Sequence, residues 1–232
     1  MSRAGEGKVD PPRAPSPARS ASPTGWKWPP QSRTVVLVSG SGTNLQSLID
    51  TGCPIAQVLS NVPGAPALER ARAAGIPAHT LDHRSFRSRA EFDDALAERV
   101  DGPERANLVV LAGFMRILGP GFTRRFAGRL INVHPSLLPA FPGLRTHERA
   151  LEAGVSEHGC TVHFVTEDLD AGPLIEQARV TVRPNDTAAS LATRVLAEEH
   201  RVLPRTVHRF VTGRLHLRGG YAWLDGRRVH PG

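Results

Sequence analysis

Ile131-Asn-Val-His-Pro135 sets an amide and an imidazole two residues apart. Ile131 and Val133 alternate with Asn132 and His134, the period-two pattern of a strand whose successive side chains point to opposite faces. Asn132 and His134 therefore share a face, and Pro135, which has no N–H to donate, ends the ladder directly after them. An amide N–H can donate to a developing oxyanion, and an imidazole can carry a proton. The same spacing also fits a polar-faced surface strand with an incidental histidine.

Three other places carry chemistry-bearing residues. Ser39-Gly-Ser-Gly-Thr-Asn44 lies between the aliphatic run Thr34–Val38 and Leu45-Gln-Ser-Leu-Ile49, which has helical spacing. A strand, glycine loop and helix in that order aim backbone N–H groups at an anion, most often a phosphate. The third glycine of G-x-G-x-x-G is missing and there is no Walker-type lysine, so a single phosphate suits Gly42, Thr43 and Asn44 better than a nucleotide cofactor. A plain tight turn capped by Thr43 or Asn44 remains the other reading. Asp170 stands out from Glu167 and Asp168 in an acidic loop because Gly172-Pro173 fixes the backbone beside it. Glu199 falls in an apolar stripe formed by Leu191, Val195, Val202 and Leu203. A carboxylate there is costly unless it is ion-paired or bonded to a ligand, and both remain open.

The elements that must position these residues alternate. Strands are expected at 34–38, 55–60, 77–81, 108–111 and 131–134, with helices at 67–74, 88–100 and 121–126 between them. Short connections between alternating strands and helices imply a mostly parallel sheet covered on both faces. The Gly42 loop, the Ala112–Leu118 loop and His134 then meet at the carboxyl edge, where open α/β sheets bind ligands. A helix at 146–153 follows, and strands at 158–165 and 174–182 form an antiparallel pair around the acidic loop. Asp186 can cap a long helix reaching about Gly213, with Pro204 ending or kinking it. Leu215-His-Leu217 and Ala222-Trp-Leu224 around Gly219-Gly220 read as a hairpin.

Bulk properties narrow the class. The 232 residues carry a net charge of +7, but residues 1–33 hold six basic and two acidic groups, which is +4 of it. A nucleic-acid partner would need basic and aromatic residues continuing into the domain, and they do not. Residues 1–33, rich in Pro, Ser, Ala and Arg, are expected to be a disordered basic tail, with 34–232 as the catalytic domain. Two cysteines, Cys53 and Cys160, form no disulfide framework or metal-ligand spacing. No apolar run approaches the roughly 20 residues of a membrane span, and no signal-type segment is present, so a cytoplasmic setting is expected.

Together, Val38-Ser-Gly-Ser-Gly-Thr-Asn-Leu-Gln46, Leu111-Ala-Gly-Phe-Met-Arg-Ile-Leu118 and Ile131–Pro139 resemble the glycinamide ribonucleotide formyltransferase family. So do His158–Val165, Leu169-Asp-Ala-Gly-Pro173 and Glu198-Glu-His200, in the same order and from about Thr34 onward. Thr43 stands where serine is commoner. The resemblance implies an α/β, Rossmann-like, mostly parallel twisted sheet with helices on both faces, antiparallel additions and a long C-terminal helix. It implies transfer of a formyl group from 10-formyltetrahydrofolate, as co-substrate, to the amine of 5-phosphoribosylglycinamide in purine synthesis. Gly42, Thr43 and Asn44 would then hold the phosphate and Glu199 the ribose hydroxyls. Met115, Arg116, Ile117 and Leu118 would receive the pterin, with Asn132 beside it and Arg89 near the folate. Asn132 would donate to the oxyanion, His134 would supply charge and a proton, and Asp170 would keep His134 protonated. No metal or nucleotide cofactor, no nucleic acid and no membrane are expected, with a monomer or homodimer as the assembly.

Two related activities share this core. Methionyl-tRNA formyltransferases resemble the chain at Asn132, His134 and Asp170, but continue differently after Ser-Leu-Leu-Pro and add a tRNA-binding domain. Formyltetrahydrofolate deformylases usually add a folded N-terminal domain. Phe141-Pro-Gly-Leu144 and the 19 residues after Gly213 favour neither.

Overall fold

The computed structural model describes residues 25–102 and 105–230. A seven-stranded sheet forms its centre. Strands β1 (Thr34–Val38), β2 (Ile55–Ser60), β3 (Ala78–Thr80), β4 (Leu108–Leu111) and β5 (Leu130–His134) run parallel, in the order β3-β2-β1-β4-β5. Strands β6 (Glu157–Phe164) and β7 (Leu174–Thr181) extend it in antiparallel pairing beyond β5. The continuous aliphatic runs have a direct cause. In β1, Val36 and Val38 feed one core while Val35 and Leu37 feed the other, so every position is buried.

The first core is covered by α1 (Thr43–Asp50), α2 (Pro66–Ala73) and the long α6 (Ala188–Val211), which also contacts α5 (Thr146–Glu152). The second is covered by α3 (Arg89–Asp101) and α4 (Pro120–Arg125), where Phe92, Leu96 and Phe122, with Phe126 just after α4, are fully or almost fully buried. Short strands β8 (Leu215–Arg218), β9 (Tyr221–Leu224) and β10 (Arg227–Arg228) make a separate antiparallel sheet. The expected α/β architecture, with helices on both faces and a C-terminal hairpin, is therefore present, and the hairpin gains a third strand.

Three local expectations are corrected. Pro204 does not end the last helix, and α6 is a single helix of 24 residues. Its buried ring packs in the core, and the only ladder donor lost is the one that would face His200 O. The N-cap of α6 is Thr187, which exchanges hydrogen bonds with Ser190 in a capping box. Asp186 instead accepts from Arg194 Nη1 at 2.8 Å and Ser190 Oγ at 2.8 Å.

The tail boundary also moves. The expectation for residues 1–24 lies outside the described residues, but residues 25–33 lie on the domain. Trp26 stacks on His208 with ring centres 4.8 Å apart, Trp28 meets the same ring edge-on at 5.1 Å, and Trp28 Nε1 donates to Thr51 O at 3.0 Å. The tryptophans bury apolar area that the surrounding Pro and Ser residues lack, which anchors the segment.

Candidate active site

The glycine loop rests on α2. Ala67 N–H donates to Gly40 O at 3.1 Å and Arg70 Nε–H donates to Ser41 O at 2.8 Å, so two loop carbonyls face that helix. Gly42 has φ +73°, and a Cβ there would lie 2.5 Å from Ala67 Cβ. Only glycine meets both constraints. No side chain caps the first turn of α1 and no acidic residue stands in it, so neither Thr43 nor Asn44 acts as the expected cap. The first-turn N–H groups, at the positive end of α1, are thus left without a side-chain acceptor.

Asn44 looks inward instead. Its Nδ2 donates to Glu199 Oε2 at 2.6 Å, joining the start of α1 to the middle of α6. Burial pushes the Glu199 carboxyl up to about 7, against the smaller opposing effect of the Asn44 hydrogen bond. Among the described residues Glu199 has no cationic partner, which removes the buried ion pair as the reason for a carboxylate there. The register of α6 is held elsewhere: Glu176 on β7 pairs with Arg205 and Arg209 and accepts from Thr206 Oγ1 at 3.2 Å.

On the other side, Met115–Leu118 follow β4. Met115 and Ile117 are largely exposed and Leu118 is buried. Arg116 lies over the Phe92 ring at 4.9 Å. Gly119 N–H donates to Asp93 Oδ2 at 2.7 Å, and burial raises the Asp93 carboxyl.

Between these ends lies the cluster centred on β5. His134 Nε2–H donates to Phe141 O at 3.0 Å, while its Nδ1 faces Asp170 Oδ2 at 3.4 Å. Both nitrogens thus face oxygen, and only a doubly protonated ring can donate to both. Asp170 Oδ2 also accepts Gly143 N–H at 2.8 Å. The Asp170 backbone has φ +52°, a left-handed conformation an aspartate holds at a cost. The adjoining turn requires glycine, since a Cβ on Gly172 would fall 1.8 Å from Phe164 O.

His163 completes the group. Antiparallel pairing of β5 with β6 sets it opposite Asn132, and Asn132 Nδ2 approaches its Nε2 at 3.2 Å. His163 Nδ1–H donates to Phe164 O at 2.9 Å, so Nε2 carries the lone pair and accepts from Asn132. Burial lowers the His163 pKa, outweighing the Phe164 carbonyl and Asp170, and so favours the neutral ring. One N–H of the Asn132 amide is thereby engaged and the other remains to donate.

A cavity of about 740 Å³ joins these parts. Of the residues expected at the site, Asn44, Met115, Arg116, Ile117, Leu118, Asn132, His134, Asp170 and Glu199 line it. Gly42 and Thr43 do not line it. Arg89, at the start of α3, is also outside, near Gly119 and Asp93. His163 and His147 line the cavity without having been picked out beforehand. Alternation along β6 puts His163 on the same face as Thr161, but only the register shows its partner. His147 contacts His158 at 3.2 Å, and burial lowers both, His158 to about 4; nothing but its residue type marked it in the sequence.

Comparison with known proteins places the chain in a family. Residues 32–207 match the formyl transferase family. The phosphoribosylglycinamide formyltransferase of Escherichia coli (strain K12) is 48% identical over 204 residues, covering 85% of this chain and 95% of that protein. The human trifunctional purine biosynthetic protein adenosine-3 is 42% identical over 202 residues, covering 84% of this chain and 20% of its own length. The structure of the phosphoribosylglycinamide formyltransferase from Coxiella burnetii, in complex with CHES, superposes with a TM-score of 0.83 at 47% identity, covering 86% of this chain and 96% of that one. The chain belongs to the formyl transferase family.

Proposed function

We propose that this protein transfers the formyl group of 10-formyltetrahydrofolate to the amine of 5-phosphoribosylglycinamide, a step of purine biosynthesis, giving the N-formyl product and tetrahydrofolate. The observation that carries the reading is the Asn132–His134–Asp170 cluster lying between a phosphate-type loop with a buried carboxylate on one side and an exposed apolar loop on the other. The relatives' names supply the acceptor and the formyl transfer; the folate donor is what the family resemblance adds, and a cytoplasmic setting goes with it. Among the described residues no helix is long and apolar enough to cross a membrane.

In this reading the Gly42–Asn44 loop holds the phosphate and Glu199 accepts the ribose hydroxyls. Met115–Leu118 receive the pterin through backbone groups and apolar contact, and Arg89 serves the folate from outside the cavity. The neutral amine attacks the formyl carbon and the carbonyl electrons move to oxygen. The spare N–H of Asn132 donates to that oxyanion. His134 exchanges its bond to Phe141 O for one to the same oxygen, with Asp170 balancing the imidazolium. Collapse breaks the bond from carbon to N10, which takes a proton, and the former amine gives one up. His134 is placed to carry that proton. These steps call on neither a metal nor a nucleotide cofactor.

The test is direct: supply 10-formyltetrahydrofolate with each acceptor and follow folate absorbance. Formylation of phosphoribosylglycinamide is expected. Transfer to methionyl-tRNA alone, or release of formate with no acceptor, would replace this reading by one of the two related activities. Asn132→Ala is expected to lower kcat by about 10²–10³, the usual effect of losing one oxyanion donor. His134→Ala and Asp170→Asn are each expected to cost at least as much while leaving the melting temperature within a few degrees.

A further inference from the structure

Ser39 ends the β1 run and precedes the glycine loop, and its side chain turns away from that loop. Its N–H donates to Gly113 O at 3.1 Å. Its hydroxyl donates to Asn61 Oδ1 at 2.6 Å and accepts Met115 N–H at 2.8 Å. Asn61 is buried at the end of β2. A hydroxyl has one proton, and committing it to Asn61 leaves the oxygen's lone pairs for Met115. One side chain thus joins the carboxyl ends of β1 and β2 to the loop after β4.

The position of that joint matters more than its strength. Met115 and Ile117 are exposed, so side-chain packing holds the segment Met115–Leu118 only through Arg116 on the Phe92 ring and Leu118 in the second core, and does nothing to fix its start. Backbone bonds fix its two ends: Met115 N–H on Ser39, and Gly119 N–H on Asp93. Ser39 is covalently continuous with Gly40–Asn44, which lie against α2 through Ala67 and Arg70. The two loops are therefore fixed to each other through Ser39 and not only through the strands below them.

We propose that Ser39 is a positioning residue for the formyl donor. Its hydroxyl sets the start of the folate loop at a fixed distance from the phosphate loop, and so holds the two substrates' anchors in mutual register. Bimolecular transfer between bound substrates depends on that register, since small misplacements of reacting atoms cost rate steeply. The inference rests on the substrate assignment proposed above.

Ser39→Ala keeps the backbone bond to Gly113 and removes both hydroxyl bonds. The expected result is a rise of about five- to tenfold in KM for 10-formyltetrahydrofolate, the scale of one lost hydrogen bond. KM for phosphoribosylglycinamide should stay within about twofold, the split expected when only the folate side is loosened. Ser39→Thr, which keeps the hydroxyl, should restore the folate KM. Asn61→Ala removes the acceptor that aims the hydroxyl and should shift the same constant in the same direction, so the test survives if Ser39→Ala fails to fold. A folate KM unchanged in Ser39→Ala, or both constants rising equally, would overturn the proposal. Titration calorimetry with tetrahydrofolate separates the two readings. A wild-type protein that binds it but transfers nothing to phosphoribosylglycinamide defeats the functional assignment, whereas equal binding by wild type and Ser39→Ala defeats the role of Ser39.

Discussion

Glu199 shows how one residue can work against the fold that holds it. Its folded pKa, about 7, lies above the ordinary 4.5, so the folded state keeps the proton over a range where the unfolded chain has lost it. Its contribution is therefore fully present below about pH 4.5 and is lost as pH rises through about 7, by up to ~3 kcal/mol. Glu199→Gln keeps an oxygen for Asn44 and removes the charge. Thermal melts of the ligand-free protein should show wild type and variant alike near pH 4.5 and the variant several degrees more stable near pH 8. A variant less stable near pH 8 would mean that the burial cost is offset elsewhere. Affinity for the ribosyl substrate should move the other way. A diol donates best to the ionised carboxylate, so wild-type binding should weaken as pH falls through about 7. Glu199 was legible in the sequence because a carboxylate broke an apolar stripe. His163 was not, since its meaning comes from facing Asn132 across β5 and β6, a register that no local pattern encodes. Nitrogen-15 spectra at neutral pH should show His163 protonated at Nδ1 and bare at Nε2; an Nε2-protonated ring would invert the Asn132 amide and undo the proposed oxyanion donor.

At the scale of elements, the glycine loop and α2 behave as one part. The strand, loop and helix were evident from Thr34–Ile49 alone, but the support came from a helix some twenty residues further on. Gly42→Ala should therefore do more than strain a left-handed residue, because Cβ would meet Ala67 Cβ at 2.5 Å. Loop and helix must part, and we expect a loss of roughly 1–3 kcal/mol of stability. Affinity for the phosphorylated acceptor should fall at least tenfold, with affinity for tetrahydrofolate little changed. Chemical denaturation and separate titrations of the two ligands would check both halves. The same scale explains why Pro204 misleads. Read locally it breaks a helix, but α6 packs against α1, β6 and β7 along its length, and one missing ladder bond is a small loss beside that burial.

The whole molecule is a two-faced sheet whose strand order and layers follow from hydrophobic runs and short connections, which is why its class was readable. Its boundary was not readable, because composition averaged over a Pro- and Ser-rich window conceals two tryptophans that each find a partner. Trp28 ties the segment before β1 to the end of α1 and, through His208, to the last turns of α6. Trp28→Ala should lower stability by about 2 kcal/mol, less than for a fully buried aromatic, and leave both KM values unchanged. Loss of activity in that variant at temperatures where it is folded would show that the clamp reaches the site.

The position of that clamp has a spectroscopic consequence. The chain has three tryptophans, and Trp223 sits on the small C-terminal sheet, with its Nε1 donating to Arg218 O at 3.1 Å. None lines the cavity. Two of the three share one histidine ring, and burial keeps the His208 pKa below its ordinary value. Intrinsic ultraviolet emission will therefore be nearly blind to substrate. It will instead report whether residues 26–28 are seated, dimming when acid protonates His208 against two indoles and reddening when the segment lets go.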